Sequence, residues 1–368
     1  MRVDGRERRT IWTETPGGPV RVIDQTRLPH AFVIVDLHTR ADAERAIGDM
    51  VVRGAPLIGA AGAWGLALAL REDASDAHLA ESVAALEATR PTAVNLRWGL
   101  ERVRRRVASA PRAERADLAA AEAAAIADED AAGCEAIGVY GAEAIRAALA
   151  RSGRDRVEVL THCNAGWLAT VDWGTALSPV YKAHRAGVPV HVWVDETRPR
   201  NQGASLTAWE LAQEGVPHTV IVDNAGGHLM QHGRVDLCLV GSDRTTRTGD
   251  VCNKIGTYLK ALAAADNGVP FFAALPLSTI DWRLSDGVRD IPIEERGARE
   301  VTHMTGLTEA GRVETVRLTP EASPAANWGF DVTPARLVTG GIITERGVAP
   351  ATEAGLAGLF PEHAAQAA

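Results

Sequence analysis

Cys163 and Asp243 are the two side chains whose settings best suit proton transfer. Cys163 stands in Thr161-His162-Cys163-Asn164, directly after the β-branched run Val157 to Leu160, and Asp243 stands in Gly241-Ser242-Asp243-Arg244 after Leu237 to Val240. A short apolar run ending in polar residues is how an α/β protein presents reactive groups at the carboxyl end of a strand. A carboxylic acid facing a thiol can give a proton at one atom of a substrate and take one at another. Each group also has a plainer reading: cysteine is commonly a small buried residue, and Asp243 has Arg244 beside it as a partner for an ion pair. His162 is a second possible base, and its plainer reading is a hydrogen-bonded core histidine.

Cations stand where they could hold an anion near that pair. Arg53 lies in Val52-Arg53-Gly54-Ala55-Pro56, where Gly54 allows close backbone approach and the guanidinium offers a fork suited to phosphate. The competing reading of Arg53 is a pair with a neighbouring carboxylate. Arg90-Pro91-Thr92-Ala93-Val94-Asn95 marks a helix start, so Arg90 is expected near a helix end that favours anions. Asn253 and Lys254 are read in a turn entering a helix, Gly249 to Gly256, whose backbone N–H groups and lysine form a further phosphate seat.

From about residue 155 onward, apolar runs alternate with amphipathic segments. Strands are expected over Val157–Thr161, Val190–Val194, His218–Val222, Leu237–Val240 and Pro270–Leu275, with helices between them over Thr175–Ala186 and Leu206–Gln213. That order is the signature of a parallel, Rossmann-like sheet, assigned here to residues 151–368. Residues 1–150 are expected to form a smaller, mainly helical amino-terminal domain. It opens with a hairpin of Thr10–Trp12 and Val20–Ile23, continues through helices over Asp42–Met50 and Leu57–Arg71, and ends in Ala-, Glu- and Arg-rich helices to Ala150.

Composition narrows the partners. The net charge of −8 leaves no basic excess for nucleic acid. No G-x-G-x-x-G follows the first strand and no P-loop occurs, so neither a dinucleotide nor ATP is supported, and no cofactor is expected. Cys134, Cys163, Cys238 and Cys252 show no C-x-x-C spacing, which points to reduced thiols, no zinc cluster and no other metal. The charged amino terminus carries no signal peptide. The uncharged run Gly54–Leu70 is shorter than the ~20 residues of a membrane span and is built largely of Gly and Ala. A cytoplasmic protein acting on a small molecule is expected.

Put side by side, these stretches resemble the methylthioribose-1-phosphate isomerase family, whose fold is shared by regulatory subunits of a translation-initiation exchange factor. The match runs in order from Arg53-Gly54-Ala55-Pro56 through Arg90 to Leu96, Leu160 to Gly166, Asp195 to Pro199, Gln202-Gly203-Ala204, Gly249 to Tyr258, Pro276 to Asp281 and Ile291 to Arg296 to Phe330-Asp331-Val332-Thr333-Pro334. The resemblance implies a homodimer that isomerises a 5-substituted ribose 1-phosphate to the ribulose 1-phosphate, within methionine salvage. It implies that Cys163 and Asp243 are the catalytic pair, and that Arg53, Gly54, Ala55, Arg90, Gln202, Asn253 and Lys254 contact substrate. Trp167, Ser205, Arg97, Thr245 to Thr248 and Asn327-Trp328-Gly329 depart from the family's pattern. The 5-methylthio sugar is the favoured substrate, and those departures keep a 5-deoxy, 5-halogen or 5-phosphate sugar as alternatives, with Trp167 a candidate selector and Arg97 or Arg247 candidates for a second anion. A non-catalytic regulatory subunit is the alternative of another class.

Overall fold

The computed structural model describes residues 1–91 and 93–367 of the chain; Thr92, within the expected helix start, lies outside them. Its centre is a seven-stranded sheet in the order Gly347–Ala349, Gly341–Thr344, Phe271–Ala274, Leu237–Val240, Val157–Thr161, Val190–Asp195 and His218–Ile221. All neighbours pair in parallel except Gly347–Ala349, which runs antiparallel to Gly341–Thr344. The five expected strands are present, and the Gly341–Thr344 and Gly347–Ala349 pair extends the sheet at one edge. Val157–Thr161 and Val190–Asp195 are buried along their whole length, as strands covered on both faces must be.

The chain leaves Val157–Thr161 toward His218–Ile221 on one side and returns to Leu237–Val240 on the other. A crevice therefore opens between the carboxyl ends of Val157–Thr161 and Leu237–Val240, which is where ligands of such sheets bind. Beyond Leu237–Val240 the chain forms a smaller four-stranded sheet of Ile280–Asp281, Arg244–Thr246, Val251–Lys254 and Phe330–Thr333.

Ahead of the large sheet lies a three-stranded antiparallel sheet, Ile11–Trp12, Val20–Ile23 and Ile34–Leu37, followed by five helices. The expected hairpin gains Ile34–Leu37 as its third strand. The Ala55–Glu72 helix is buried on every side from Leu57 to Leu70, which explains its lack of an amphipathic pattern. Its small residues let a neighbour come close: a Cβ on Gly59 would lie 2.8 Å from the carbonyl of Asn95 in the Val94–Val107 helix, and one on Gly99 would lie 2.5 Å from that of Gly59. Among the described residues no helix is long and apolar enough to cross a membrane. The Val94–Val107 helix starts three residues after Pro91, so that proline precedes the first turn rather than occupying it. The Arg112–Ser152 helix packs Ala119 to Ala131 on the amino-terminal core and Ile137 to Ala148 on the large sheet, so one element belongs to both layers.

Candidate active site

Cys163 leaves the end of Val157–Thr161 with φ +65°, a left-handed conformation that costs a non-glycine residue about 1–2 kcal/mol. Two threonines hold it there. The Cys163 amide donates to Thr197 Oγ1 at 2.8 Å, and Thr207 Oγ1 donates to the Cys163 carbonyl at 2.7 Å. Asp243 follows the adjacent strand, its amide donating to the Cys252 carbonyl at 2.9 Å. Arg244 turns away to Asp281. Among the described residues Asp243 has no ion pair, so the plainer reading of this carboxylate does not hold.

Among the described residues Arg53 also lacks the carboxylate partner that would have made it structural. Its Nη1 donates to Asn164 Oδ1 at 2.7 Å and its Nη2 to the Asn164 carbonyl at 2.8 Å. The next residue, Gly54, has φ +95°, and a Cβ there would lie 2.4 Å from the Ala169 carbonyl. Only glycine fits that approach. Gly54 opens the Ala55–Glu72 helix, whose first turn has no side-chain cap; such a terminus presents backbone N–H groups to an anion.

Arg90 is mostly buried, with Glu294 Oε2 at 3.8 Å from its Nη2. Its Nε and Nη1 find no acceptor among the described residues. Lys254 is buried with its Nζ 4.2 Å from the Phe330 ring centroid. Asn253 donates to Thr257 Oγ1 at 3.1 Å, and Gln202 is buried with Oε1 unpartnered among the described residues.

Cys163, Asp243, Arg53, Gly54, Ala55, Arg90, Gln202, Asn253 and Lys254 all line one cavity of about 60 Å³. It adjoins a wider vestibule of about 700 Å³ through Met50, Arg53 and Gln202. Burial raises the Asp243 carboxyl above its ordinary value, against the pull of Lys254, Arg53 and Arg90. Burial likewise raises the Cys163 thiol, with Arg53 and Lys254 opposing and Asp243 reinforcing. It lowers Lys254, with Cys163 and Asp243 opposing. Every ionised form in the cavity is therefore short of solvation, and an anion that neutralises the cations is the group the site favours.

His162 has both ring nitrogens engaged. Nδ1 is 2.8 Å from Asp195 Oδ2, and Nε2 donates to the Ile255 carbonyl at 2.8 Å. The histidine is thus hydrogen-bonded core, not a free base. His162, Asp195 and Asp223 are close enough to hold a cation, but the Lys260 ammonium already lies 3.1 Å from Asp195 Oδ2 and donates to the Asp223 carbonyl.

Four expectations need correction. Asn253 and Lys254 lie on the strand Val251–Lys254, not in a turn, because this segment pairs on both sides, with Arg244–Thr246 and with Phe330–Thr333. The backbone N–H groups of Gly256 and Tyr258 are occupied by the Asp331 carboxylate, so that helix start is no phosphate seat. Trp167 is wholly buried against Trp209 and does not line the cavity. Arg97 and Arg247 pair with Glu87 and Glu353 outside the site, which leaves them without a role as a second anion seat. Sequence reasoning missed Met50 and Phe330 as walls of the cavity, although Phe330 opens a stretch that the family resemblance had already marked.

The Initiation factor 2 subunit family matches residues 51–351. The chain is 67% identical over 362 residues to a methylthioribose-1-phosphate isomerase of Methylorubrum populi, covering 98% of this chain and 99% of the relative. It is 63% identical over 364 residues to one of Paramagnetospirillum magneticum, covering 99% of this chain and 100% of the relative. Among solved structures, 5-methylthioribose 1-phosphate isomerase from Pyrococcus horikoshii superposes with a TM-score of 0.81 at 41% identity, over 97% of both chains. The delta subunit of translation initiation factor eIF-2B from A. fulgidus superposes with a TM-score of 0.79 at 38% identity, over 96% of this chain and 100% of that one.

Proposed function

The chain belongs to the Initiation factor 2 subunit family and, within it, to the methylthioribose-1-phosphate isomerases; from that premise we propose that Cys163 and Asp243 carry the reaction in the cavity between the two strand ends. The activity is that of an aldose–ketose isomerase, converting 5-methylthioribose 1-phosphate to the corresponding ribulose 1-phosphate. The observation that supports this placement best is the meeting of a thiol, a carboxyl raised by burial, two buried cations and the mostly buried Arg90 in one cavity.

In an aldose 1-phosphate the anomeric carbon is locked in the ring, so no aldehyde is free for ordinary enediol chemistry. Asp243 gives its proton to the ring oxygen as the bond from C1 to that oxygen breaks. Burial, which favours the neutral carboxyl, suits it to this role. Hydrogen then moves from C2 to C1. In one route a hydride shifts directly to an oxocarbenium-like C1 while the Cys163 thiolate takes the O2 proton, leaving a C2 carbonyl. In the other the thiolate removes the C2 proton, the thiol so formed gives a proton to C1 of the enol phosphate, and the thiolate takes the O2 proton as the C2 carbonyl forms. Either way Cys163 ends with the proton Asp243 lost in charge balance, and solvent resets the pair. Arg53, Arg90 and Lys254, with the first turn of the Ala55–Glu72 helix, hold the phosphate.

The test is ketose 1-phosphate formation from 5-methylthioribose, 5-deoxyribose and 5-halogenated ribose 1-phosphates and ribose 1,5-bisphosphate. Fastest turnover of the methylthio sugar supports the reading, and inactivity on all four replaces it with a regulatory subunit. Run in deuterated water, extensive label at C1 excludes the direct hydride shift. The exposed apolar residues Leu307, Val313 and Val316 of the His303–Leu307 and Val313–Arg317 hairpin support a homodimer that covers them. The four unpaired cysteines support a reducing, cytoplasmic setting.

A further inference from the structure

Behind Arg53 a wholly buried carboxylate, Glu210, accepts four hydrogen bonds. Asn164 Nδ2 donates to Oε1 at 2.9 Å and the Leu168 amide to the same oxygen at 3.0 Å. The Trp167 amide donates to Oε2 at 2.9 Å and Tyr181 Oη to the same oxygen at 2.7 Å. The acceptor capacity of an ionised carboxylate is thereby filled. Gly166 makes room for this contact, since a Cβ there would lie 1.9 Å from Glu210 Oε2.

Asn164 connects this carboxylate to Arg53. Its amide has one oxygen and one nitrogen, and Glu210 fixes which faces which: Nδ2 toward Glu210 Oε1 and Thr207 Oγ1, Oδ1 toward Arg53 Nη1. If the amide inverted, its NH2 would oppose the guanidinium. We propose that Glu210 is a positioning residue for phosphate binding: through the Asn164 amide it holds the Arg53 guanidinium at the cavity, and this rests on the reading that Arg53 holds the substrate phosphate. Two of the five guanidinium N–H donors go to Asn164, and three stay available for the anion.

Glutamine at position 210 keeps the size but cannot accept everywhere. Whichever way its amide turns, its NH2 faces a backbone N–H, that of Leu168 or that of Trp167, and in the first case Asn164 as well. The proposal is tested in the full chain with Glu210→Gln, Gly166→Ala, Arg53→Lys and the Glu210→Gln/Arg53→Lys double variant. The readouts are KM and kcat on the sugar 1-phosphate, Kd for inorganic phosphate, and thermal unfolding. Glu210→Gln and Gly166→Ala are expected to raise KM and phosphate Kd about tenfold, with kcat within about threefold; on the Arg53→Lys background Glu210→Gln adds less than about twofold, because the two act as one unit. An unchanged KM in Glu210→Gln overturns the proposal, as does the same tenfold loss on both backgrounds, which marks a merely structural carboxylate. Arg53→Lys with unchanged KM and Kd overturns the phosphate reading itself, and the inference with it. Should Glu210→Gln fail to fold, Tyr181→Phe removes one of the four donors and is expected to raise KM about threefold; no change there overturns the proposal.

Discussion

Replacing Arg90 by methionine is expected to weaken substrate binding and leave the free protein at least as stable. Arg90 is mostly buried, its Nε and Nη1 have no acceptor among the described residues, and Glu294 is 3.8 Å away. A buried donor left unpaired costs about 1–3 kcal/mol, so the free protein carries an unfavourable group that only an anion relieves. Glu294 keeps Arg296, whose Nη1 is 2.7 Å from its Oε1, and its Oε2, which has no hydrogen-bond partner among the described residues, loses only an ion pair at 3.8 Å. Two charge-assisted bonds to a phosphate contribute about 1.5 kcal/mol each even at the low end, or about a hundredfold in affinity together. Calorimetric titration with inorganic phosphate and steady-state KM should both show a loss of that order in Arg90→Met. Denaturant unfolding of the same variant should show no loss of stability. A variant that binds phosphate normally but unfolds several kcal/mol more easily would refute the reasoning and make Arg90 a structural partner of Glu294.

Cys163→Ser and Asp243→Asn should each lower kcat by about 10²–10⁴, with circular dichroism unchanged; near-normal kcat in either variant refutes its role. In the proposed mechanism the reactive form pairs a thiolate with a carboxylic acid, although burial raises both groups. Activity should therefore be level with pH between the two, falling below the carboxyl and above the thiol. In Asp243→Asn the residual rate should instead climb continuously from pH 7 to 9, and a level profile there removes Asp243 from the proton count. Lys254→Ala should raise phosphate Kd about tenfold, and an unchanged Kd counts against its contact. Away from the site, burial pushes Asp130 up to about 7 from 3.8. The folded chain then holds a proton that the unfolded chain has lost, so stability falls as pH rises through that window. The gap corresponds to at most about 4 kcal/mol, less because part of the side chain reaches solvent. Asp130→Asn should be more stable than the parent at pH 8 and equal to it near pH 4; equal stability at both refutes the shift.

The strands that place Cys163 and Asp243 were legible because each is a short β-branched run closed by turn residues, and burial on both faces makes such runs continuous. Val251–Lys254 was not legible. It is equally buried, but its neighbours Arg244–Thr246 and Phe330–Thr333 are far apart in sequence or too short to announce themselves. Local chemistry, a glycine before a helix, looked the same as an anion seat. What decided otherwise was Asp331, 75 residues from Gly256, reaching back to fill it. Trp167 failed for a related reason, since an unusual aromatic in a reactive turn is not distinguishable by type from one that packs behind it. Residue type and order picked out groups that share one cavity; which of two burial environments each enters is set by contacts that no local window contains.

The same long-range burial gives the site its chemical bias. Arg53, Arg90 and Lys254 stand against Glu210, Glu294 and an Asp243 carboxyl that burial keeps toward its neutral form, so positive charge exceeds negative around the cavity at low solvation. A phosphate dianion supplies the missing charge. Its arrival favours the charged forms of the cations and opposes ionisation of Asp243, which is the protonation state that ring opening requires. It opposes ionisation of Cys163 for the same reason. Binding therefore primes the acid and disfavours the base, and the thiolate must be regained from its own cations, Arg53 and Lys254, the two groups that lower the thiol most. With the proposed roles, the position of Arg53 matters twice, once for holding the phosphate and once for making Cys163 able to accept a proton. That double demand gives a physical reason for anchoring its guanidinium through Asn164 to a buried carboxylate rather than leaving it to the substrate to order.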